Sequence, residues 1–200
     1  MSVVRTYLPM ILLGDSQVGK TSLSMKTVNN EFKVNLLSTI GKDFLEKKIT
    51  IKGHSIKIKI YDTAGQEKFR SIAISAVRNA VGIILVYAID NKNTFEALDG
   101  WLKDINDADK GKPIVIVGNK CDLPEEKRTV TYEEGKKYAD EHGYNFYECS
   151  AKSGENVDKA FDDIFMQMYN KHEKEFDTNE QKKLKLKKNN GKKEKEKKKC

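Results

Sequence analysis

The sequence predicts a doubly wound α/β fold with a mainly parallel six-stranded sheet, one antiparallel edge strand and helices on both faces. Two stretches of nearly continuous aliphatic residues, Val81–Ile89 and Pro113–Gly118, are typical of parallel strands that helices cover on both sides. Such strands alternate along the chain with helical patterns of roughly 10 to 15 residues. In a sheet of this kind, the ligand site is expected at the carboxyl ends of the strands.

The first part of the chain predicts a strand, a helix and a hairpin. Tyr7–Leu13 has the composition of a short buried strand, and Gly19–Asn29 then has the pattern of a helix. Lys48–Lys52 and His54–Tyr61 alternate isoleucine with lysine or polar residues around Gly53, which predicts a hairpin with one solvent-facing side. We expect both hairpin strands to lie at the edge of the sheet.

The second part of the chain predicts three helices and a last strand. Thr94–Ala108 places its apolar residues on one face, which indicates a single helix with Trp101 packed in the core beside that face. Thr131–His142 and Val157–Tyr169 have the same amphipathic pattern, and the strand Asn145–Cys149 lies between them.

The charge of the chain is concentrated at one end. Residues 181–200 contain 11 lysines and two glutamates, a net charge of +9 in a chain of total charge +7, so the first 180 residues carry −2. A like-charged run without apolar periodicity cannot bury enough surface to offset its chain entropy. We therefore predict a folded domain over residues 1–176 and a disordered tail over residues 177–200. Because the tail has no aromatic residues among its lysines, nucleic acid is not the expected partner.

The cysteines and the apolar runs limit the cellular setting. Cys121, Cys149 and Cys200 are odd in number and have no short pair spacing, which indicates neither a disulfide framework nor a zinc site and fits a reducing compartment. No apolar run approaches the roughly 20 residues of a membrane helix, and the first residues lack the pattern of a secretory leader. Any membrane attachment should therefore be peripheral.

A phosphate-binding motif follows the first predicted strand. Residues 14–21 fit G-x-x-x-x-G-K-[ST] between a strand and a helix, a context that makes an ordinary glycine-containing turn a poor explanation. Its glycines let backbone N–H groups turn toward phosphates, and the helix N-terminus adds partial positive charge. Lys20 is expected to bridge the β- and γ-phosphates, and the Thr21 hydroxyl to ligate Mg²⁺. The predicted binding residues are Gly14, Asp15, Ser16, Gln17, Val18, Gly19, Lys20, Thr21 and Ser22.

A second motif, D-x-x-G, follows the isoleucine-rich strand. Its position places Asp62 at a strand end, where the carboxylate would hold Mg²⁺ through water. Because Gly65 lacks a Cβ, its N–H could approach a γ-phosphate closely. Gln66 could orient the attacking water, which makes Gln66 and Lys20 the predicted catalytic residues.

Two further segments, residues 119–122 after the strand in 113–118 and residues 149–152 at the end of the last strand, indicate which base is bound. Guanine presents N1–H and an amino group as adjacent donors that one Asp122 carboxylate could accept, whereas adenine lacks this pair. Lys120 would lie along the ring, Asn119 would tie its loop to the phosphate loop, and the Ala151 N–H would meet the guanine O6. Either segment alone could be an ordinary turn, but both in order after a phosphate loop predict a guanine site. The predicted residues are Asn119, Lys120, Asp122, Ser150, Ala151 and Lys152.

In order and spacing, these motifs resemble those of a Ras-superfamily small GTPase over about residues 7–170. Ile40–Phe44, Ala64–Ile72 and Leu85–Tyr87 are similar to Rab segments rather than to those of Ras or Rho. The resemblance implies a P-loop NTPase fold that binds GTP and GDP with Mg²⁺. It also implies a switch that hydrolyses GTP slowly and regulates vesicle trafficking at membranes.

The resemblance implies roles for two more residues. Phe32 would stack on the guanine, the alternative being an aromatic that closes the first helix in the core. Thr39 would bind Mg²⁺ and sense the γ-phosphate. The implied metal ligands are therefore Thr21, Thr39 and Asp62.

The chain departs from the usual Rab pattern at several positions. Tyr61 stands where Rabs usually carry Trp, and Ala76 and Val77 stand in place of a Tyr pair, which should affect the choice of effector. Gln17 occupies a phosphate-loop position that is most often small, where it could crowd the phosphates or an activating arginine.

The resemblance also implies partners and a location. A monomeric chain would bind a guanine nucleotide exchange factor, a GTPase-activating protein, a GDP dissociation inhibitor and effectors. It would cycle between the cytosol and the cytoplasmic face of intracellular membranes. Rabs are usually prenylated on paired cysteines, whereas here Cys200 alone follows Lys197–Lys199, and one lipid plus a polybasic segment predicts peripheral anchoring.

Three alternatives remain open from the sequence. The tail could be a solvated charge run with a free thiol, the chain could be a nucleotide-loaded scaffold that does not hydrolyse GTP, or it could be a GTPase that binds RNA through its basic tail.

Overall fold

The computed structural model describes residues 7–30, 44–62 and 70–176. One sheet has the spatial order β2-β3-β1-β4-β5-β6, with β2 antiparallel to β3 and every other neighbouring pair parallel. This confirms the predicted mainly parallel sheet with one antiparallel edge strand. The strands are β1 (Tyr7–Leu13), β2 (Leu45–Ile51), β3 (His54–Asp62), β4 (Gly82–Ala88), β5 (Ile114–Asn119) and β6 (Asn145–Cys149).

Helices cover both faces of the sheet, as predicted. One hydrophobic cluster joins the sheet to α1 and α6, and a second joins the opposite face to α2, α4 and α5. Strand β4 is buried along its whole length, because helices cover it on both sides. The helices are α1 (Lys20–Asn29), α2 (Arg70–Val77), α3 (Lys92–Glu96), α4 (Leu98–Ala108), α5 (Tyr132–His142) and α6 (157–176), with a 3₁₀ turn at Glu125–Lys127.

The hairpin forms around Gly53, but two details of its prediction are wrong. Lys52 belongs to the turn rather than to a strand, because Lys52 and Gly53 both have positive φ, 49° and 85°, as a two-residue turn between twisted strands requires. Of the two hairpin strands, only β2 lies at an edge of the sheet, since β3 pairs with β2 on one side and with β1 on the other. The alternating pattern of β3 therefore reflects one exposed face and not an edge position.

The helix predicted over Thr94–Ala108 is divided into α3 and α4 at Ala97. The Ala97 amide is shared between the carbonyls of Asn93 and Phe95, a tighter turn than an α-helix makes. The segment starts earlier than predicted, because the Asn91 side chain accepts a hydrogen bond from the Asn93 N–H and caps α3. Trp101 is in the core, as predicted, with 5% of its surface exposed.

Helix α6 continues seven residues beyond the predicted end at Tyr169. The added turns are supported by the hairpin: Phe176 packs on His54 with ring centroids 6.2 Å apart, and Lys52 pairs with Glu173 at 2.9 Å. Within the described ranges, no helix has the length and apolarity needed to cross a bilayer. The tail predicted over residues 177–200 lies outside the described residues.

Candidate nucleotide site

The carboxyl ends of the parallel strands lie side by side along one edge of the sheet. Leu12 is in register with Asp62, and Asn119 is in register with Ala88 on one side and with Cys149 on the other. The carboxyl ends of β1, β3, β4, β5 and β6 are therefore neighbours. This edge brings together the segments that the sequence predicted to converge.

The loop of residues 14–19 depends on two glycines. Gly14 has φ 133°, and a Cβ built on it would overlap the carbonyl oxygen of Val86, so the loop passes β4 too closely for any side chain. Gly19 has φ 94°, and a Cβ there would overlap the side-chain amide of Asn119. Helix α1 begins directly afterwards, at Lys20.

Lys20 lies buried inside this loop. Its Nζ donates hydrogen bonds to the carbonyl oxygens of Gly14 at 2.8 Å and Asp15 at 2.6 Å. Burial lowers the pKa of Lys20 to about 8, against the opposing charges of Asp62 and Asp15, which raise it. The ammonium group is still charged at pH 7, so a desolvated cation lies where the phosphate loop folds back on itself.

Asn119 connects three of the loops. Its Nδ2 donates to the Val18 carbonyl oxygen at 2.7 Å, and its Oδ1 accepts from the Ala151 N–H at 3.2 Å. Only 2% of Asn119 is exposed. The predicted tie to the phosphate loop is therefore present, and the same amide also holds the segment after β6, a contact that the sequence did not indicate.

Asp122 is held in place by Ser150. The buried Ser150 hydroxyl donates to Asp122 Oδ1 at 2.6 Å and accepts from the Ser153 N–H at 3.0 Å. Lys152 Nζ lies 3.6 Å from Asp122 Oδ2. These contacts fix the direction of the Asp122 carboxylate, whereas the side chain of an exposed aspartate in a loop would be free to rotate.

A cavity of about 270 Å³ lies between the phosphate loop with the start of α1 and the segments that follow β5 and β6. Eight of the nine residues that line it were predicted from the sequence, and only Leu123 was not. The lining residues are Gln17, Gly19, Ser22, Asn119, Lys120, Asp122, Leu123, Ala151 and Lys152.

The residues present also fit a magnesium ion beside this cavity. Thr21 follows Lys20 in the first turn of α1, and Asp62 acts electrostatically on the same Lys20. A hydroxyl and one carboxylate suit Mg²⁺, which prefers oxygen ligands and keeps several of its waters. No group of three or more His, Cys, Asp or Glu residues placed to hold a metal occurs in the described part of the chain.

A model of the Ras family matches residues 9–170. The chain belongs to the Ras family.

Curated relatives place this Ras-family protein among the Rabs. Ras-related protein Rab-13 from Bos taurus is 45% identical over 156 residues, which cover 78% of this chain and 76% of the relative. Ras-related protein Rab-10 from Caenorhabditis elegans is 44% identical over 156 residues, 78% of this chain and 77% of the relative. Ras-related protein RABA5b from Arabidopsis thaliana is 42% identical over 161 residues, 80% of this chain and 74% of the relative.

The family establishes the function in outline. The chain is a Rab-type small GTPase that binds GTP and GDP with Mg²⁺, hydrolyses GTP and regulates vesicle trafficking. Regulators and effectors of the kind that serve Rabs in general, and a role associated with membranes, come with this membership. Neither the non-hydrolysing scaffold nor the RNA-binding GTPase is favoured.

Several predicted residues of this GTPase lie outside the described residues. Phe32 and Thr39 fall in residues 31–43, Gly65 and Gln66 in residues 63–69, and Cys200 in residues 177–200. Their roles remain predictions.

The structure adds two residues to the site of this GTPase. Asp90, just after β4, accepts both of its hydrogen bonds from Lys120 Nζ, at 2.9 and 3.1 Å. Asp90 could have been predicted from the sequence, because it follows a buried parallel strand and ligand sites lie at the carboxyl ends of such strands. Trp101 donates from Nε1 to Asp15 Oδ1 at 2.8 Å, and no sequence signal pointed to this contact across 86 residues.

Proposed function

We propose that the cavity at the strand ends holds guanine nucleotide, with the base beside Asp122 and the phosphates in the loop of residues 14–21. The observation that carries the proposal is the orientation of Asp122, whose carboxylate is fixed by the buried Ser150 hydroxyl at 2.6 Å. A fixed carboxylate accepts the two adjacent donors of guanine without first losing side-chain freedom. Lys120, anchored by Asp90, lies along the base. The Ala151 N–H, which donates to Asn119 Oδ1 at 3.2 Å, is shared with O6.

At the phosphate end, the loop amides and Lys20 bind the β- and γ-phosphates. A phosphate group replaces the two carbonyl oxygens that Lys20 contacts at 2.6 and 2.8 Å, and its negative charge favours the charged form of Lys20, which burial disfavours. Thr21, Thr39 and Asp62 are the proposed magnesium ligands, and bound Mg²⁺ supplies charge neutralisation at the phosphate oxygens. Gln66 orients the attacking water.

Switching and location follow from the same proposal. Thr39 and Gly65 contact the γ-phosphate and order two loops, which hydrolysis releases. An exchange factor, a GTPase-activating protein, a GDP dissociation inhibitor and effectors would act on these loops of a monomer. The prenylated Cys200 and the lysine-rich tail hold the chain at the cytoplasmic face of intracellular membranes, from which it cycles to the cytosol.

Replacing Asp122 with Asn tests the site. The Asp122→Asn variant loses a charged acceptor for two guanine donors, and hydrogen bonds to charged groups contribute about 1.5–3 kcal/mol each. Loss of one such hydrogen bond should lower GTP affinity by about tenfold to a hundredfold, as measured by displacement of a fluorescent GDP analogue. Because xanthine carries a carbonyl where guanine carries its amino group, the Asn amide should bind xanthosine triphosphate better than the wild type does.

The Asp140→Asn variant is the matched control, since it makes the same change on the exposed face of α5, where Asp140 pairs with Lys136. Its GTP affinity should equal that of the wild type. Equal loading of ATP and GTP by the wild type, or an unchanged base preference in Asp122→Asn, would refute the assignment.

A further inference from the structure

A carboxylate in a phosphate-binding loop needs an explanation. Asp15 lies directly after Gly14, and its own carbonyl oxygen is 2.6 Å from Lys20 Nζ. Because Asp15 contacts this cation through its own backbone, its carboxylate charge acts at short range on the group that is to meet the phosphates. A negative charge free to turn toward this site would repel the phosphates and compete with them for Lys20.

The structure shows what holds this carboxylate. The indole Nε1–H of Trp101 donates to Asp15 Oδ1 at 2.8 Å. Trp101 is 5% exposed and belongs to the hydrophobic cluster of α4, so packing fixes the donor. An indole N–H can only donate, and it binds a carboxylate without adding a second cation that would itself attract phosphate.

We propose that Trp101 is a positioning residue for nucleotide binding, which fixes the Asp15 carboxylate so that its charge does not compete with the nucleotide phosphates. This inference rests on the proposed placement of the phosphates in the loop of residues 14–21. Helix α4 lines no part of the nucleotide cavity. Through Trp101, this helix would nevertheless affect the affinity of the protein for nucleotide.

The Trp101→Phe variant of the full chain tests the inference. Phenylalanine keeps an aromatic ring in the core but removes the N–H donor. The affinity for fluorescent GDP and GTP analogues in the presence of Mg²⁺ should fall by roughly tenfold to a hundredfold, the range of one lost hydrogen bond to a charged group. The loss should be larger for the GTP analogue, because it carries more phosphate charge.

A second substitution separates positioning from simple tethering of the loop. In the double variant Trp101→Phe, Asp15→Asn, the carboxylate charge is gone, so most of the lost affinity should return. If Trp101 served only as a structural tether, the double variant would bind as weakly as Trp101→Phe, and the inference would be overturned.

Tyr138→Phe is the matched control. The Tyr138 hydroxyl donates to Asp99 Oδ1 at 2.8 Å, so this variant also removes an aromatic donor from a carboxylate in α4, but away from the phosphate loop. Its nucleotide affinity should be unchanged, and a loss equal to that of Trp101→Phe would contradict the inference.

Two measurements keep the test decisive. If Trp101→Phe does not fold, as shown by thermal unfolding, 3-benzothienylalanine at position 101 retains the shape of indole with sulfur in place of N–H, and the same loss of affinity is expected. Wild-type affinity in that protein overturns the inference. If Trp101→Phe binds normally while Asp122→Asn is impaired, only this inference fails; if Asp122→Asn also binds normally, the proposed site fails.

Discussion

Gln17 adopts a left-handed backbone conformation in the phosphate loop, with φ 65°. This conformation costs an L-residue roughly 1–2 kcal/mol, whereas glycine adopts it without strain. The resemblance to Rabs implied that a long side chain is unusual at this position. The structure adds that the backbone itself is one that glycine would favour.

We expect the Gln17→Gly variant to be more stable than the wild type. Relief of the strain exceeds the roughly 0.4–1 kcal/mol that added freedom of the unfolded chain costs, so the free energy of unfolding should rise by up to about 1 kcal/mol. For a domain of this size, that corresponds to a rise of about 2–4 °C in Tm, measurable by calorimetry.

Gln17→Ala is the control for this prediction. Alanine also lacks the long side chain but keeps the Cβ that strains the backbone, so its Tm should stay close to that of the wild type. Equal stabilisation by Ala and Gly would show that crowding by the side chain, and not φ, limits stability at this position.

Residue by residue, the part of the site carried by local motifs was predictable, and the part carried by tertiary contacts was not. The roles predicted for Lys20 and Asp122 come from motif chemistry. The Trp101 contact with Asp15 and the Asn119 contact with Ala151 join residues 86 and 32 positions apart, and a single sequence contains no local signal for such pairs. Predictions for Gln66 and Thr39 remain untested.

Strand β4 carries a buried hydroxyl in the centre of the sheet. Tyr87 is 0% exposed, and within the described residues its hydroxyl has no hydrogen-bond partner. Gly118 and Gly135 make room for it, since a Cβ on either would overlap the hydroxyl oxygen. The ring itself packs edge-to-face on Phe95 with centroids 5.0 Å apart. Burial raises the pKa of Tyr87, so the hydroxyl stays neutral.

The Tyr87→Phe variant should therefore be more stable than the wild type. An unsatisfied buried hydroxyl costs about 1–3 kcal/mol, part of which is offset by the small space that its removal leaves. The expected gain is about 1 kcal/mol in the free energy of unfolding, which urea denaturation at a constant m-value would measure.

Tyr169→Phe is the matched control, because Tyr169 is equally buried but its hydroxyl lies 2.8 Å from His54 Nδ1. This variant loses a hydrogen bond and should be destabilised by about 1 kcal/mol. Equal destabilisation of both variants would mean that the Tyr87 hydroxyl has a stabilising contact after all.

Among the elements, buried runs were the most predictable. The bounds of β1 match the prediction, because a short apolar run before turn residues leaves few alternatives for where the strand ends. The bounds of β6 also match, although this strand is only partly buried. Lys52 continued the alternating pattern of a strand, so its place in the turn was not visible in the sequence. The added length of α6 depends on Phe176 contacting Tyr169 and the hairpin, which is a tertiary effect.

At the scale of the whole molecule, charge is divided unequally along the chain. The first 180 residues carry −2, and residues 181–200 carry +9. A single lipid on Cys200 would give only marginal membrane binding, whereas lysines near an anionic surface each contribute about 1 kcal/mol. The proposed anchor therefore depends on the lipid and on the lysines together, and on anionic lipid in the membrane.

Vesicle sedimentation of the geranylgeranylated full chain tests this two-part anchor. The protein should bind vesicles containing phosphatidylserine at least tenfold more tightly than neutral vesicles, and the difference should shrink as salt screens the charges. Replacing Lys197–Lys199 with Gln should weaken binding to the anionic vesicles by tenfold or more, whereas the same replacement at the exposed Lys103, Lys110 and Lys137 should not.

The Cys200→Ser variant, which cannot carry the lipid, should remain in solution at physiological salt. Binding that is indifferent to anionic lipid, or an unmodified Cys200 in the native host by mass spectrometry, would contradict the anchor. Either result would leave the nucleotide site untouched, because the two proposals share no residue.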